Sequence, residues 1–256
     1  MSQSVRFSYL LTQLVLRDLR TRYRQTLIGA LWGLGRPLAE LLIFVLVFGQ
    51  VLKAPSDGLP YPLFAYTGVV LWTFVAGAIP RGVRSISAHA GLVSRVPFPK
   101  LTIPLAMVAS AFVDLLVAAL LLVALLAWYH VPLTPSILGL VPILVILTVF
   151  VTGVTVLGSA LHVFYHDLGY AADLGLRLWQ LATPIAYASS AIPARWQAIY
   201  QLNPLVALFD SARDALLRGT WPSMSALLYP LAAGLACLAV GLVIFRTTEP
   251  YFAESV

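Results

Sequence analysis

Charged residues are scarce in this sequence: Asp, Glu, Lys and Arg together make up 10% of its 256 residues, while hydrophobic residues make up 60%. An ordinary soluble domain is about a quarter charged, so a water-soluble fold is excluded. Cysteine is nearly absent. The single Cys237 lies inside an apolar run, which excludes an intrachain disulfide and leaves packing as its use. No GxxxxGK[ST] phosphate loop occurs, so any ATP must be handled by a partner. A CxxC pair and a nucleophile elbow are missing as well, and the carboxylates are scattered rather than paired for acid and base work. The chain is therefore not read as an enzyme. Acidic residues number 10 against 16 basic ones, but the basic residues fall between apolar runs instead of on one face. That pattern points to anionic lipid and membrane topology, with no nucleic acid.

What is abundant is long apolar sequence, and a bilayer crossing takes about 20 such residues. The hydropathy predicts an all-α membrane protein with six transmembrane helices, at about Trp32 to Leu52, Pro62 to Pro80, Leu101 to Trp128, Ile137 to Val163, Leu168 to Ser189 and Leu227 to Phe245. The first span follows a stretch bearing Arg6, Arg17, Arg20, Arg22 and Arg24, which is unlike a cleavable signal peptide, so it is expected to stay in the mature protein. Before it, Phe7, Leu10, Leu11, Leu14 and Val15 recur at helical spacing while Arg6, Gln13, Arg17, Arg20 and Arg24 collect on the other side. This predicts an N-terminal amphipathic interface helix, its basic face either solvated or set against lipid phosphate or a partner protein.

Basic residues set the orientation. Arg6, Arg17, Arg20, Arg22, Arg24, Arg81, Arg84, Arg95, Lys100 and Arg246 fall on one side, against Lys53, Arg195, Arg213 and Arg218 on the other. The positive-inside rule makes the first side, with both termini, cytoplasmic. Between spans five and six, Pro193 to Gln201 and Pro204 to Arg218 read as two short helices, with Asn203 as N-cap, Pro204 in the first turn and Gly219 as C-cap. Asp210 with Arg213, and Asp214 with Arg218, stand at pair spacing, so the second helix is expected to keep a charged face toward water. A re-entrant gate and a plain surface hairpin are both compatible with that pattern.

Ionisable residues at membrane depth are costly and call for partners. Arg36, Glu40, Asp114, Asp173 and Arg177 are such residues: Asp173 and Arg177 can pair within one helix, and Asp114 is expected to bond across helices. His162 and His166 stand four apart beside Asp167, a spacing that can serve one metal, yet no third and fourth ligands are evident and helix capping accounts for them. No metal site is assigned. Aromatics crowd spans two and five. Interface belts and core packing account for most, but Trp72 and Trp179 fall near mid-span, where a sugar-stacking pore lining is the sharper reading.

Five stretches carry a resemblance. They are RDLRTRYRQTLIGALWGLGRPL from Arg17 to Leu38, LPYPLFAYTGVVLWTF from Leu59 to Phe74, LVSRVPFPKLTIPLA from Leu92 to Ala106, FYHDLGYAADLGLRLWQLATPIAY from Phe164 to Tyr187, and NPLVALFDSARDALLRG from Asn203 to Gly219. Together and in order, over nearly the whole chain, they resemble the ABC type-two export permeases that move O antigen, capsule and teichoic acid, with the O-antigen polysaccharide exporters nearest. Two positions depart from the family's pattern: His166 precedes Asp167 where arginine is common, and Arg36 precedes Pro37 where glutamine is more usual.

The resemblance implies a single transmembrane domain over 1–256, working as a homodimer on two copies of a cytoplasmic ATPase, in a bacterial inner membrane. Lipid-linked polysaccharide would pass through a channel between the two permease subunits, and ATP and Mg would be bound by the ATPase, with no cofactor in this chain. Within the domain, 1–30 becomes the interface helix, whose Arg17, Arg20, Arg22 and Arg24 would meet lipid phosphate. Residues 81–100 become a coupling loop, with Ser94, Arg95, Val96, Pro97 and Phe98 feeling the ATPase, and Pro97 and Pro99 stiffening it. Tyr66, Trp72, Phe74, Trp179 and Tyr187 become channel residues. The hairpin 191–222 becomes a periplasmic gate carrying Trp196, Tyr200, Asn203 and Pro204. Two other classes stay open on the residues alone: an ion-coupled secondary transporter, which would also want buried carboxylates, and a membrane glycosyltransferase, which should show clustered catalytic ones.

Overall fold

The computed structural model describes residues 3–23, 32–96 and 98–252, and the regular structure among them is all helix with no strand. Five helices are long and apolar enough to cross a membrane: Gly33–Val51, Tyr61–Val83, Thr102–Trp128, Pro135–His162 and Met224–Tyr251. In chain order the elements are α1 Gln3–Tyr23, α2 Trp32–Phe44, α3 Tyr61–Val83, α4 Ser85–Ala88, α5 Ala90–Arg95, α6 Thr102–Trp128, α7 Leu140–His162, α8 Leu168–Leu181, α9 Ala194–Tyr200, α10 Pro204–Arg213 and α11 Met224–Thr248. Two of them change pitch at their ends: α2 continues as a π-helix over Val45–Val51, and α10 over Asp214–Arg218.

Helix α3 is the central post. Some 78% of its most apolar stretch is buried, against 11% for the first apolar helix, so α3 is ringed by protein while α2 lies at the edge. Its flanks are α6 and α7, whose side chains join it in one core that includes Val70, Phe74, Leu115 and Leu147. The tightest pairing is between α7 and α11. A Cβ on Gly153 would come within 2.5 Å of the Leu238 backbone nitrogen, and one on Gly241 within 2.9 Å of the Gly153 carbonyl. Small residues let two membrane helices touch backbone to backbone, and here glycine is required at both positions.

A second core closes one end of the bundle, hereafter the near end. Leu14 of α1, Ile86 of α4, Val93 of α5, Ile103 of α6, Phe245 of α11 and Phe252 pack together there. The ring of Phe252 meets Phe245 edge-on at 5.2 Å. The first helix and the last described residues therefore share an end. Helix α1 lays Leu14 inward, with Arg17 and Arg20 exposed, as its periodicity predicts.

The predicted fifth span takes a different form. A continuous helix over Leu168 to Ser189 is expected from hydropathy, but α8 stops at Leu181 after 14 residues. At 1.5 Å per residue that is about 21 Å, short of a hydrocarbon core of about 30 Å. The reason is local: Pro184 has no N–H to donate and disfavours helical geometry at Thr183. The chain nevertheless runs the full length of α3. Gly169 accepts a hydrogen bond from Arg84 at the near end, and Ala186 accepts one from the Tyr61 hydroxyl at the far end.

Candidate functional site

Backbone carbonyls that leave a helix inside a membrane must find donors. Those of the unwound stretch after α8 are met one by one. Leu181 accepts from the Tyr187 hydroxyl at 2.7 Å, Ala182 from Asn203 Nδ2 at 3.1 Å, and Thr183 from the Ile185 amide at 2.8 Å. Pro184 and Ile185 both accept from Arg213 Nη2, the latter at 3.1 Å, and Ala186 accepts from Tyr61 at 2.7 Å. Side chains from α3 and α10 thus hold an irregular segment in one shape.

Arg213 is the main staple. Only 2% exposed, it also donates through Nε to the Phe64 carbonyl at 3.2 Å and through Nη1 to Asp210 at 3.3 Å, with its guanidinium carbon 3.8 Å from the centre of the Phe64 ring. Gly68 leaves it room, since a Cβ there would lie 2.9 Å from Nη2. The expectation of a charged face toward water is corrected here: Asp210, Asp214 and Arg218 stay partly exposed, but Arg213 turns inward. Leu205, Leu208, Phe209 and Ala212 of the same helix are fully enclosed, so one face of α10 is packed into the protein. Burial pushes the Asp210 carboxyl up, against the opposing pull of the Ser189 hydroxyl and Arg213.

Asn203 joins α8 to the hairpin. Its Oδ1 caps α10 by accepting from the Leu205 amide at 3.1 Å and accepts from Trp179 Nε1 at 3.0 Å. Its Nδ2 donates to Ala182 and to Thr183 Oγ1, both at 3.1 Å. A cleft of about 320 Å³ opens beside it, lined by Ala182, Ile192, Pro193, Trp196, Ile199, Tyr200 and Asn203. Trp196 is exposed, Pro204 is buried at the first turn of α10, and the Tyr200 and Tyr187 hydroxyls stand 3.4 Å apart. At the same end Arg218 reaches Asp57, whose carboxylate also accepts from Ser190, which ties the hairpin to the loop before α3.

A second cleft, about 170 Å³, lies between α2, α3 and α8 at mid-length, lined by Arg36, Glu40, Trp72, Ala76, Pro80, Asp173, Leu176, Arg177 and Gln180. Arg36 pairs with Glu40 at 3.3 Å. Asp173 does not pair with Arg177, as the spacing suggests, but crosses to Arg84 at 2.5 Å, because the end of α3 delivers a bidentate guanidinium to it. Trp72 borders this cleft, and Trp179 packs edge-on to Phe150 at 5.8 Å. Tyr66 and Phe74 are fully enclosed: the Tyr66 hydroxyl donates to the Ala118 carbonyl at 3.0 Å, and Phe74 packs edge-on to Phe112 at 5.7 Å. Both belong to the central core.

At the near end, the expected cross-helix bond of Asp114 is present. Arg81 of α3 reaches Asp114 of α6 at 3.1 Å and Asp18 of α1 at 3.4 Å, and Asp18 also accepts from Ser110 at 2.5 Å. The loop expected to couple is two short helices, α4 and α5, anchored through the buried Val93 and presenting Ser94, Arg95 and Val96 outward. Phe98 packs against the near-end core, and Lys100 bonds Glu249 through both its amide and its ammonium. Arg17 and Arg20 line a shallow cleft with Gln13 and Thr21. Pro97, Arg24 and the side chain of Arg22 lie outside the described residues. His162 and His166 face each other at 5.6 Å, and among the described residues no third ligand type gathers with them.

Sequence reasoning missed the buried role of Arg213 and the carbonyl seat it fills. The signals were there in Pro184 and in the apolar register of Leu205, Leu208, Phe209 and Ala212, which puts Arg213 at the margin of a buried face.

Similar proteins align with nearly the whole of the chain. The chain is 31% identical over 250 residues to "O-antigen export system permease protein RfbA" of Klebsiella pneumoniae, covering 96% of this chain and 94% of that one. A protein of the same description from Myxococcus xanthus is 29% identical over 250 residues, covering 96% and 95%. "Polysialic acid transport protein KpsM" of Escherichia coli is 25% identical over 241 residues, covering 92% of each. Residues 9–217, the stretch that holds α3, the unwound segment and α10, match the sequence model described as ABC-2 type transporter, and the chain belongs to that family.

Proposed function

We propose that this chain is the membrane-spanning permease subunit of an ATP-driven exporter of lipid-linked polysaccharide, with O antigen as its cargo. The observation that carries the reading is the end-to-end similarity to permeases whose names specify O-antigen export, over 96% of the chain. The polysialic acid relative supports a capsule-type glycan as the second reading. An ion-coupled carrier loses its chief argument, because Asp114 is engaged by Arg81.

In this reading the chain crosses the inner membrane six times, the fifth crossing being α8 plus its unwound continuation, with the near end cytoplasmic. Two copies meet at the margin formed by α2 and α8, where Leu42, Ile43 and Leu46 of α2 are exposed in the single chain and α8 faces the path between the copies. The cargo passes between them. A separate cytoplasmic ATPase, two copies per assembly, binds ATP and Mg and presses on Ser94, Arg95, Val96, Pro97 and Phe98, while Arg17, Arg20, Arg22 and Arg24 face lipid phosphate. Trp72 and Trp179 with Tyr187 border the path, and Trp196, Tyr200, Asn203 and Pro204 form its far-end gate. Closure of the ATPase pair would push the near end and part the two permeases.

The test is transport of lipid-linked glycan in proteoliposomes containing this chain with and without its candidate ATPase. ATP-dependent movement only with the partner is the expected result. Movement driven by an ion gradient without it would overturn the reading.

A further inference from the structure

The charges of the mid-length cleft do not balance among the described residues. Arg36 is matched by Glu40 and Asp173 by Arg84, which leaves the exposed Arg177 with no carboxylate partner among the described residues. It stands nine residues into α8, about 14 Å from that helix's start. Trp72, midway along α3, borders the same cleft, as does Gln180. A guanidinium at that depth is costly unless water or an anion meets it. Its flat fork accepts two oxygens of a phosphate or carboxylate at once. Around it on α8, Tyr170, Leu174, Leu178 and Leu181 form an exposed apolar stripe. An anion beside such a stripe describes an amphiphile, with a charged head and an isoprenoid or acyl tail. Headgroups of the bilayer's own lipids sit at the surface and not at mid-depth, which favours a lipid-linked diphosphate drawn into the protein.

We propose that Arg177 is a binding station for the diphosphate of the lipid-linked cargo, with Trp72 as the wall of the station and the Leu174–Leu178 stripe as the bed of the lipid tail. This deepens the exporter reading and rests on it. The station fixes the lipid end of the cargo at mid-depth while the glycan threads ahead of it.

The test uses the full chain in phosphatidylcholine nanodiscs, with farnesyl diphosphate as probe, farnesol as uncharged control and inorganic pyrophosphate as competitor. Saturable binding of farnesyl diphosphate is expected, weakened roughly tenfold or more in Arg177→Gln and partly kept in Arg177→Lys. Farnesol should not bind comparably, and added phosphatidylglycerol should not compete. Because Arg177 has no carboxylate partner among the described residues, Arg177→Gln should melt no lower than the wild type, which separates a ligand station from a structural role. Unchanged binding in Arg177→Gln, equal binding of farnesol, or full competition by phosphatidylglycerol would overturn the station. So would loss of dimer in both Arg177→Gln and Glu40→Gln, since a second copy would then be neutralising Arg177. ATP-driven transport by the wild-type chain with its ATPase is scored separately, so the station can fail while the exporter reading stands.

Discussion

Arg213 donates a hydrogen bond to the carbonyl of Ile185 at 3.1 Å, joining an embedded helix to a stretch of backbone that has left its own. Replacing Arg213 with Met keeps most of the volume and removes every donor. The carbonyls of Phe64, Pro184 and Ile185 then lose this donor, and the Asp210 carboxylate keeps only the Ser189 hydroxyl among the described residues. Breaking a buried charged pair costs about 3–5 kcal/mol. The purified variant should melt well below the wild type, and Arg213→Lys should fall between them. An unchanged melting curve would mean the unwound segment is held by something else.

Asn203→Ala removes an N-cap, worth about 1 kcal/mol, together with the bonds to Trp179, Ala182 and Thr183. Asn203→Asp keeps the acceptor and loses the donors, so it should retain the cap and the Trp179 contact. Hydrogen exchange over 182–204 should rise strongly in the alanine variant and modestly in the aspartate one. Equal exchange in the two would sink the hub assignment.

Arg81 links α1, α3 and α6 through Asp18 and Asp114. Its replacement by Met removes the guanidinium that two partly buried carboxylates share and should destabilise the chain by about 3 kcal/mol. The informative readout is local. Amide exchange should accelerate first in α1, whose other anchorage is the small near-end core around Leu14, and a uniform acceleration would contradict the linkage.

Glycines on two faces separate folding from assembly. Gly153→Leu forces α7 off the α11 backbone, and overpacking of this kind costs about 1–3 kcal/mol or more. A Cβ on Gly175, by contrast, meets nothing within 4 Å in the single chain, and Leu there favours helix by about 1 kcal/mol. Gly175→Leu should therefore leave the melting temperature level or higher, yet reduce dimerisation and transport if α8 faces a second copy. Wild-type transport by that variant would argue for another dimer face.

The sequence was most legible where apolar length alone decides. The spans at α3, α6, α7 and α11 appear within a few residues of their predicted bounds, and the short helices α9 and α10 follow from their proline and asparagine punctuation. The bond required by Asp114 was also legible, because a lone carboxylate at depth must have a partner; that the partner is Arg81, thirty-three residues earlier, depends on how α3 and α6 cross. Hydropathy could not show that the predicted helix over Leu168 to Ser189 stops at Leu181, since Ala182, Ile185 and Ala186 are as apolar in a turn as in a helix. Nor could it show the exchange of partners around Asp173, where spacing along one helix favours Arg177 and the geometry between helices favours Arg84.

The backbone contact between α7 and α11 divides the molecule mechanically. Helices packed through Gly153 and Gly241 cannot slide or part without losing that contact, so they form a tightly coupled pair. Helices α2 and α8, at the opposite margin, lack such seams: one ends in a widened π pitch and the other stops halfway. Under the proposed exporter function, a push delivered at the near end would find no give in the α7–α11 pair and would be taken up by α2 and α8, whose helical geometry is already interrupted.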